Sequence, residues 1–548
     1  MLAPSRAGIL GQRGVEDLSA SIKTAMASYV GPPGRKAVML NPKVLAIGRA
    51  LALVCGLTIT ATASWAADPV PQNGGTLNVG MEADWPTLDP LGMGALAERQ
   101  VAAGLYDTLL DMDAKGKVVP NLAEITFTSQ AADLYRIKLK SGIKFHDGTP
   151  LDAEAVVFNF KRLLDPKNHC RCAADVAALK EVVATGPLEV EFHLKEPSAP
   201  FPAVLADVAG MMISPAAVEK YGKDYGANPV GTGPFMFKEW KRGNYLMAVR
   251  NPGYWKPGKP HLDQVYYRPM PDEQTRMSAL RAGNIDINQI PAARDLHDVM
   301  QNKSFKIVDP GSLGTVFFMF MCKAPEVSDP RVRAAIAYAT NRPALNKALN
   351  YGIYPLARTP FGSGLAPHEK VTGFKEFDLQ KAKALVAEIG KPIKIKLSVQ
   401  AAPATLQLAQ ALQQMWRKAG IDAEIDQFEQ VQLIRNAITH NFQAMIFRWP
   451  GRADPDLNVY QFFYSTSNRG YVQYANPEMD KLLTAGRETL DPAKRVEIYE
   501  KVSDLLAKDV PYFFFYYYTS YMLTSPSVHD VPLIPDGLLR VADVWKSK

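Results

Sequence analysis

Two short segments of the sequence carry the residue types best suited to hold a small molecule. The first is Phe447-Arg448-Trp449-Pro450-Gly451-Arg452-Ala453-Asp454-Pro455-Asp456. A guanidinium offers a planar fork that matches a carboxylate or a phosphate. Arg452 therefore points to a ligand with an acidic or otherwise acceptor-rich group. The competing reading pairs Arg452 with Asp454 or Asp456 and leaves it to shape the loop. The second segment, Met93-Gly94-Ala95-Leu96, follows Thr87-Leu88-Asp89-Pro90. Small residues at 94 and 95 let a ligand come close to the backbone, and the competing reading is an ordinary loop.

Other reactive residues have plainer readings. His146-Asp147 suits a turn-capping pair better than an acid–base dyad. Gly231-Thr232-Gly233-Pro234 lacks the Gly-Lys-Ser/Thr ending of a phosphate loop. Its glycines are expected to take positive φ in a turn before a strand. His169-Cys170-Arg171-Cys172 lacks a fourth metal ligand at useful spacing. A disulfide between cysteines two apart closes a strained ring, so these read as incidental thiols in a surface loop. Tyr254-Trp255 reads as a packed aromatic corner. There is no Gly-x-Ser-x-Gly elbow, and His368-Glu369 lacks the second histidine of a zinc helix. A secreted hydrolase stands as the main competing class without a motif to carry it. No catalytic residue, metal or cofactor is assigned.

These segments must be positioned by regular elements. Hydrophobic periodicity and turn signals predict strands at 75–80, 135–140, 188–194, 235–240, 245–249, 284–287, 393–399, 421–428 and 443–448. Helices are predicted at 98–110, 152–164, 272–282, 329–349, 378–389 and 404–418, with Asp152 as an N-cap and Gly283, Gly390 and Gly420 as stops. Helix–strand alternation implies α/β lobes. The segment after 443–448 then sits at a strand end, where binding loops of such lobes usually lie. Two apolar stretches, 315–321 and 512–518, are too short to span a membrane. They read as buried central strands where the chain crosses between lobes.

A chain of 548 residues exceeds one ordinary domain. The net charge of +7 is uneven: residues 1–66 hold seven Lys/Arg and two acids, and without them 55 bases face 53 acids. No nucleic-acid footprint remains. Residues 50–63 form an apolar run preceded by Lys43 and Arg49 and followed by Ser64-Trp65-Ala66. This is the pattern of a signal peptide cleaved after Ala66, and a start at Met39 gives a leader of usual size. Val54 before Cys55 argues against a lipid-attachment site, so the mature chain is expected free in the periplasm.

Further segments carry a resemblance. They are LKSGIKFHDGTPLDAEAVVFNF at 139–160, NPVGTGPFMFKEW at 228–240, NPGYW at 251–255, ALRAGNIDI at 279–287, DPRVRAAIAYATNR at 329–342, FDLQKAKALVAEIG at 377–390 and PDGLLRVADVW at 535–545. In their order and spacing the chain resembles the bacterial extracellular solute-binding proteins of family 5, the peptide/nickel type that serves ABC importers. The resemblance runs from about 75 to 545. It implies an α/β, two-lobe periplasmic binding protein of type II, cluster C-like, hinged by two crossover strands. Lobe I is expected at 67–310 with an extra subdomain at about 98–228, lobe II at 311–522, and 523–548 returns to lobe I. The implied role is delivery of a peptide or peptide-like, acidic solute to permease subunits in the inner membrane, by a monomer and without catalysis. A chelated metal or haem is the alternative ligand.

The resemblance also implies site roles. Met93, Gly94 and Ala95 match a stretch that lends backbone groups to a peptide. Trp449 matches an aromatic that precedes, by three residues, an Asp for the peptide's amino group. Arg452 stands at that position, and Asp454 lies two further on. After 393–399, where dipeptide binders carry an Arg for the ligand's carboxylate, this chain has Ala401. Both charged anchors of a simple dipeptide site are thus absent from their usual places.

Overall fold

Alternation of buried and open side chains produces the strands. Leu134–Leu139 buries every second residue, and Ile393–Gln400 starts the same way before its last turns sink into the core. The computed structural model describes Val70–Lys548 apart from Glu369, Asn468 and Arg469. The signal peptide, its cleavage after Ala66 and the start at Met39 lie outside the described residues.

Three large sheets organise the fold. The first has seven strands in the order Lys306–Val308, Met522–Thr524, Ile287–Gln289, Thr76–Met81, Gln264–Pro269, Tyr245–Arg250 and Phe235–Lys241. Thr76–Met81 runs parallel to both its neighbours. The second has five, in the order Ile421–Phe428, Ile393–Gln400, Ala444–Trp449, Gly314–Phe320 and Tyr512–Tyr518. A third, antiparallel sheet orders Ala123–Thr128, Leu134–Leu139, Glu189–Leu194 and Leu179–Gly186, with the helix Ala153–Leu164 packed on it through Val156 and Phe160. Asp152 caps that helix, accepting from the Ala155 N–H at 2.9 Å.

The chain passes between the first two sheets twice, from Val308 to Gly314 and from Tyr518 to Met522. The buried Ser312 hydroxyl ties the two passages together, lying 2.6 Å from the Tyr518 carbonyl and 2.8 Å from that of Gly314. Both apolar stretches belong to the second sheet. Gly314–Phe320 lies inside it, whereas Tyr512–Tyr518 is its edge strand rather than a central one. That edge is covered, as an apolar edge must be. The Ala357 N–H donates to Phe515 O at 3.2 Å and the Tyr517 N–H to Pro355 O at 2.9 Å.

Two further expectations fail for identifiable reasons. The helix expected over 329–349 is two helices, Pro330–Tyr338 and Arg342–Asn350. Pro343 has no N–H to continue a helix, and the Asn341 side chain caps the second one through the Ala344 N–H at 3.0 Å. Gly231 and Gly233 do not take positive φ. They are small because the chain packs here against the end of the helix Leu96–Leu105. A Cβ on Gly233 would stand 2.5 Å from Leu105 C and 2.7 Å from Tyr106 N, both backbone atoms that cannot yield. Overpacking of this kind costs about 1–3 kcal/mol even where side chains can shift. Gly233→Ala is expected to lose about 3 kcal/mol in denaturant unfolding.

Candidate functional site

The loop after the strand Ala444–Trp449 is fixed by Asn458. Its Oδ1 accepts from Trp449 Nε1 and from the Arg452 N–H, both at 2.9 Å, and its Nδ2 donates to the carbonyls of Arg452 and Asp454, also at 2.9 Å. Trp449 packs edge-on against Phe462, with ring centroids 5.0 Å apart. The Arg452 guanidinium covers its other side at 4.6 Å. The loop therefore brings Trp449, Arg452 and Asp454 together through one buried amide.

The charges of this loop are largely engaged. Asp454 takes a bidentate pair from Arg495, at 2.6 and 2.7 Å, within the same lobe. Asp456, fully buried, pairs with Arg487. Arg452 pairs with neither Asp454 nor Asp456. Its Nε meets Asp207 Oδ2 at 2.9 Å, and Asp207 Oδ1 meets Arg99 at 2.9 Å. Asp207 lies just after the short helix Phe201–Leu205, and Arg99 lies on the helix Leu96–Leu105. One carboxylate thus joins the second lobe to two elements of the first. Burial opposes charge on Asp207, but Arg99 and Arg452 outweigh it and hold the carboxyl below its usual range.

The expected segment at 93–95 is held from below and from the side. Met93 is buried in the core of the first sheet, and Gly94 and Ala95 are exposed. The N–H groups of Gly94 and Ala95 both donate to Glu98 Oε2 at 2.6 Å. Cys170 and Cys172 are joined by a disulfide, so they are not incidental thiols. The turn brings their Cα atoms to 5.1 Å, inside the ordinary range for a bridge. Between them, Arg171 lays its guanidinium against Gly94, where a Cβ would collide. The Arg171 N–H donates to Leu91 O at 2.8 Å. Arg99, one turn further along the same helix, links this segment through Asp207 to Arg452.

The earlier turn motifs support this frame. Asp147 accepts from Thr149 and from the Ser214 hydroxyl, closing the turn as a cap. His146 accepts the Gly231 N–H on Nδ1 and donates from Nε2 to Gly233 O at 2.9 Å. Burial pushes its pKa down to about 4. Tyr254 and Trp255 both donate to the buried Asp107, at 3.1 and 2.8 Å.

A second charged contact across the lobes involves a residue that sequence reasoning quoted but did not single out. Arg448 Nη2 meets Glu82 Oε1 at 3.2 Å, and Nη1 donates to the Tyr518 hydroxyl at 3.3 Å. Glu82 directly follows the first-sheet strand Thr76–Met81. Arg448 leaves 49% of its side-chain surface open, against 11% for Arg452. In register, Val316 faces Arg448 on one side and Tyr516 on the other, so these three share one face of the second sheet. Tyr354 stacks on Tyr516 at 5.1 Å. Apolar residues of the first lobe, Leu96, Ile290 and Leu538, pack into the same core.

Two α/β lobes, joined by two short passages and meeting through the ion pairs Arg452–Asp207 and Arg448–Glu82, define a two-lobe binding protein. The chain belongs to the bacterial extracellular solute-binding proteins, family 5, whose model, described as its middle part, matches residues 117–471. It is 28% identical over 450 residues to the glutathione-binding protein GsiB of Escherichia coli (strain K12), covering 79% of this chain and 87% of that one. Among solved structures it is similar to the oligopeptide-binding protein AppA from Bacillus subtilis in complex with a nonapeptide. The identity is 26% and the TM-score 0.78, over 87% of this chain and 100% of that one. It is also similar to AgaA from A. tumefacien R10 in complex with agropinic acid, at 26% identity and TM-score 0.76, over 86% and 99% of the two chains. Among the described residues no helix is long and apolar enough to cross a membrane.

Proposed function

We propose that this chain is the periplasmic solute-binding component of an ABC importer. It holds a peptide or peptide-like, acidic solute between its lobes and hands it unaltered to permease subunits in the inner membrane. It acts as a monomer, secreted by a leader that ends at Ala66 and without a lipid anchor. The observation that carries the reading is the pair of ionic contacts across the lobes, Arg452–Asp207 and Arg448–Glu82. Groups so placed favour one relative arrangement of the lobes, and a solute that binds that arrangement better shifts the population toward it. The ligands of the relatives, glutathione, a nonapeptide and agropinic acid, are all acidic or peptidic, which supports the solute class. Of the sequence-derived residues, Trp449 and Asp454 fix the loop and Arg452 acts mainly by closing the lobes, while Glu98 takes up the N–H groups of Gly94 and Ala95 and holds that segment in place.

Titration calorimetry with glutathione, tripeptides and opines is expected to show one-to-one binding without turnover. Arg452→Ala is expected to weaken that binding about tenfold, through an easier opening of the lobes. Hydrolysis of a bound peptide by the purified protein would instead establish the hydrolase reading.

A further inference from the structure

We infer that Arg448 and Glu82 form the charge-recognition centre of the cleft and select zwitterionic, amino-acid-like solutes. The solute's carboxylate takes the Arg448 fork, and its ammonium takes Glu82. The inference rests on the binding role proposed above and names the ligand chemistry that the role requires.

The two residues come from opposite lobes and have opposite charge. Arg448 occupies the strand Ala444–Trp449, and Glu82 follows the strand Thr76–Met81. Their single contact, at 3.2 Å, joins one guanidinium nitrogen to one carboxylate oxygen. A guanidinium carries five N–H donors. Arg448 uses one on Glu82 and one on Tyr518, and the described residues supply no partner for the other three. Among the described residues Glu82 Oε2 likewise meets no donor, and the Glu82 side chain keeps 17% of its surface open. Arg448 is half open, and a single-atom contact at 3.2 Å is weaker than the two-point pair a carboxylate can make with the guanidinium, so a solute can part it.

The surroundings suit a small, partly planar body. The Tyr518 ring lies under the Arg448 guanidinium at 5.1 Å, and Tyr354 stacks on Tyr516 beside it. Aromatic walls lower the local dielectric and strengthen charge recognition. A simple anion would satisfy Arg448 but face Glu82 unpaired, and a simple cation would do the reverse. A solute carrying both an ammonium and a carboxylate satisfies the two together.

The test compares free, N-acetylated and C-amidated forms of a set of di- and tripeptides that have one ammonium and one carboxylate each, by calorimetry on the mature protein. The free forms are expected to bind, and each cap to lower affinity by about 100-fold. Arg448→Ala is expected to lose a similar factor, Arg448→Lys to recover part of it, and Glu82→Gln to lose about tenfold. Ligand-free melting midpoints of the variants, close to that of the parent protein, show that they fold. Capped solutes binding as tightly as free ones, or unchanged affinity in both Arg448→Ala and Glu82→Gln, overturns the proposal. If uncharged or capped solutes bind while zwitterions do not, this proposal falls and the carrier role stands. If no solute of any class binds, both fall.

Discussion

Asp207→Ala is expected to destabilise the protein by about 3–5 kcal/mol. Asp207 is the one acid paired with both Arg99 and Arg452, and the two guanidinium side chains expose only 5% and 11% of their surface. Removing the carboxylate takes the shared counter-charge from two sheltered guanidinium groups, and desolvation makes that loss far costlier than a lost surface pair. Asp207→Asn is expected to cost nearly as much, because it keeps the shape and one acceptor but cannot neutralise either cation. Because the Asp207 carboxyl sits below its usual range in the fold, its contribution is present at neutral pH and is lost as pH falls through its folded value. Urea unfolding at pH 7 measures the loss. A change below about 1 kcal/mol in Asp207→Ala would show that the triad is no more than a surface pair.

The second large effect depends on pH and has the opposite sign. Burial raises the Asp107 carboxyl from 3.8 to about 6, despite the opposing influence of Lys256, Trp255 and Tyr254. The fold therefore prefers the protonated acid. Below pH 4 both folded and unfolded chains carry the proton, and the group brings no penalty. Between pH 4 and 6 the unfolded chain ionises first and stability is lost, reaching about 3 kcal/mol above pH 6. Asp107→Asn removes this dependence while keeping an acceptor for the Trp255 indole N–H, now at 2.8 Å. Its stability relative to the parent protein is expected to rise by about 3 kcal/mol between pH 3.5 and 7, on top of a constant cost of about 1 kcal/mol for the weakened Tyr254 bond. His146 acts in the other direction. Its pKa falls to about 4, so its contribution is lost as pH drops below 6.5. The two residues are separated by comparing the variant with the parent at each pH. A constant difference across that range would refute the assignment to Asp107.

Much of this architecture was readable from local signals. Asp152, Gly283 and Gly390 mark helix ends because capping is decided within four residues of the chain. The period-2 pattern of Leu134–Leu139 marks its strand for the same reason. What escaped depends on distant partners. The small residues at 231 and 233 look like turn glycines until Leu105 is seen to pack on them. Arg452 has acids two and four residues away, but its partner is Asp207, which adjoins it only in the folded chain. Arg448 stands beside Trp449, yet Glu82 lies 366 positions away, and nothing local shows which face of the strand looks across the cleft. The Cys170–Cys172 spacing suggested strain, whereas the turn around Arg171 brings the two sulfurs within bonding reach.

The Ser312 hydroxyl has a mechanical consequence. It clasps the two strands of polypeptide that run from one half of the molecule to the other, so neither can flex alone. Side-by-side tethers fastened to each other permit swinging about a single axis and resist twisting or sliding. Movement of the two halves is then expected as one coupled swing of both tethers rather than as two independent flexings.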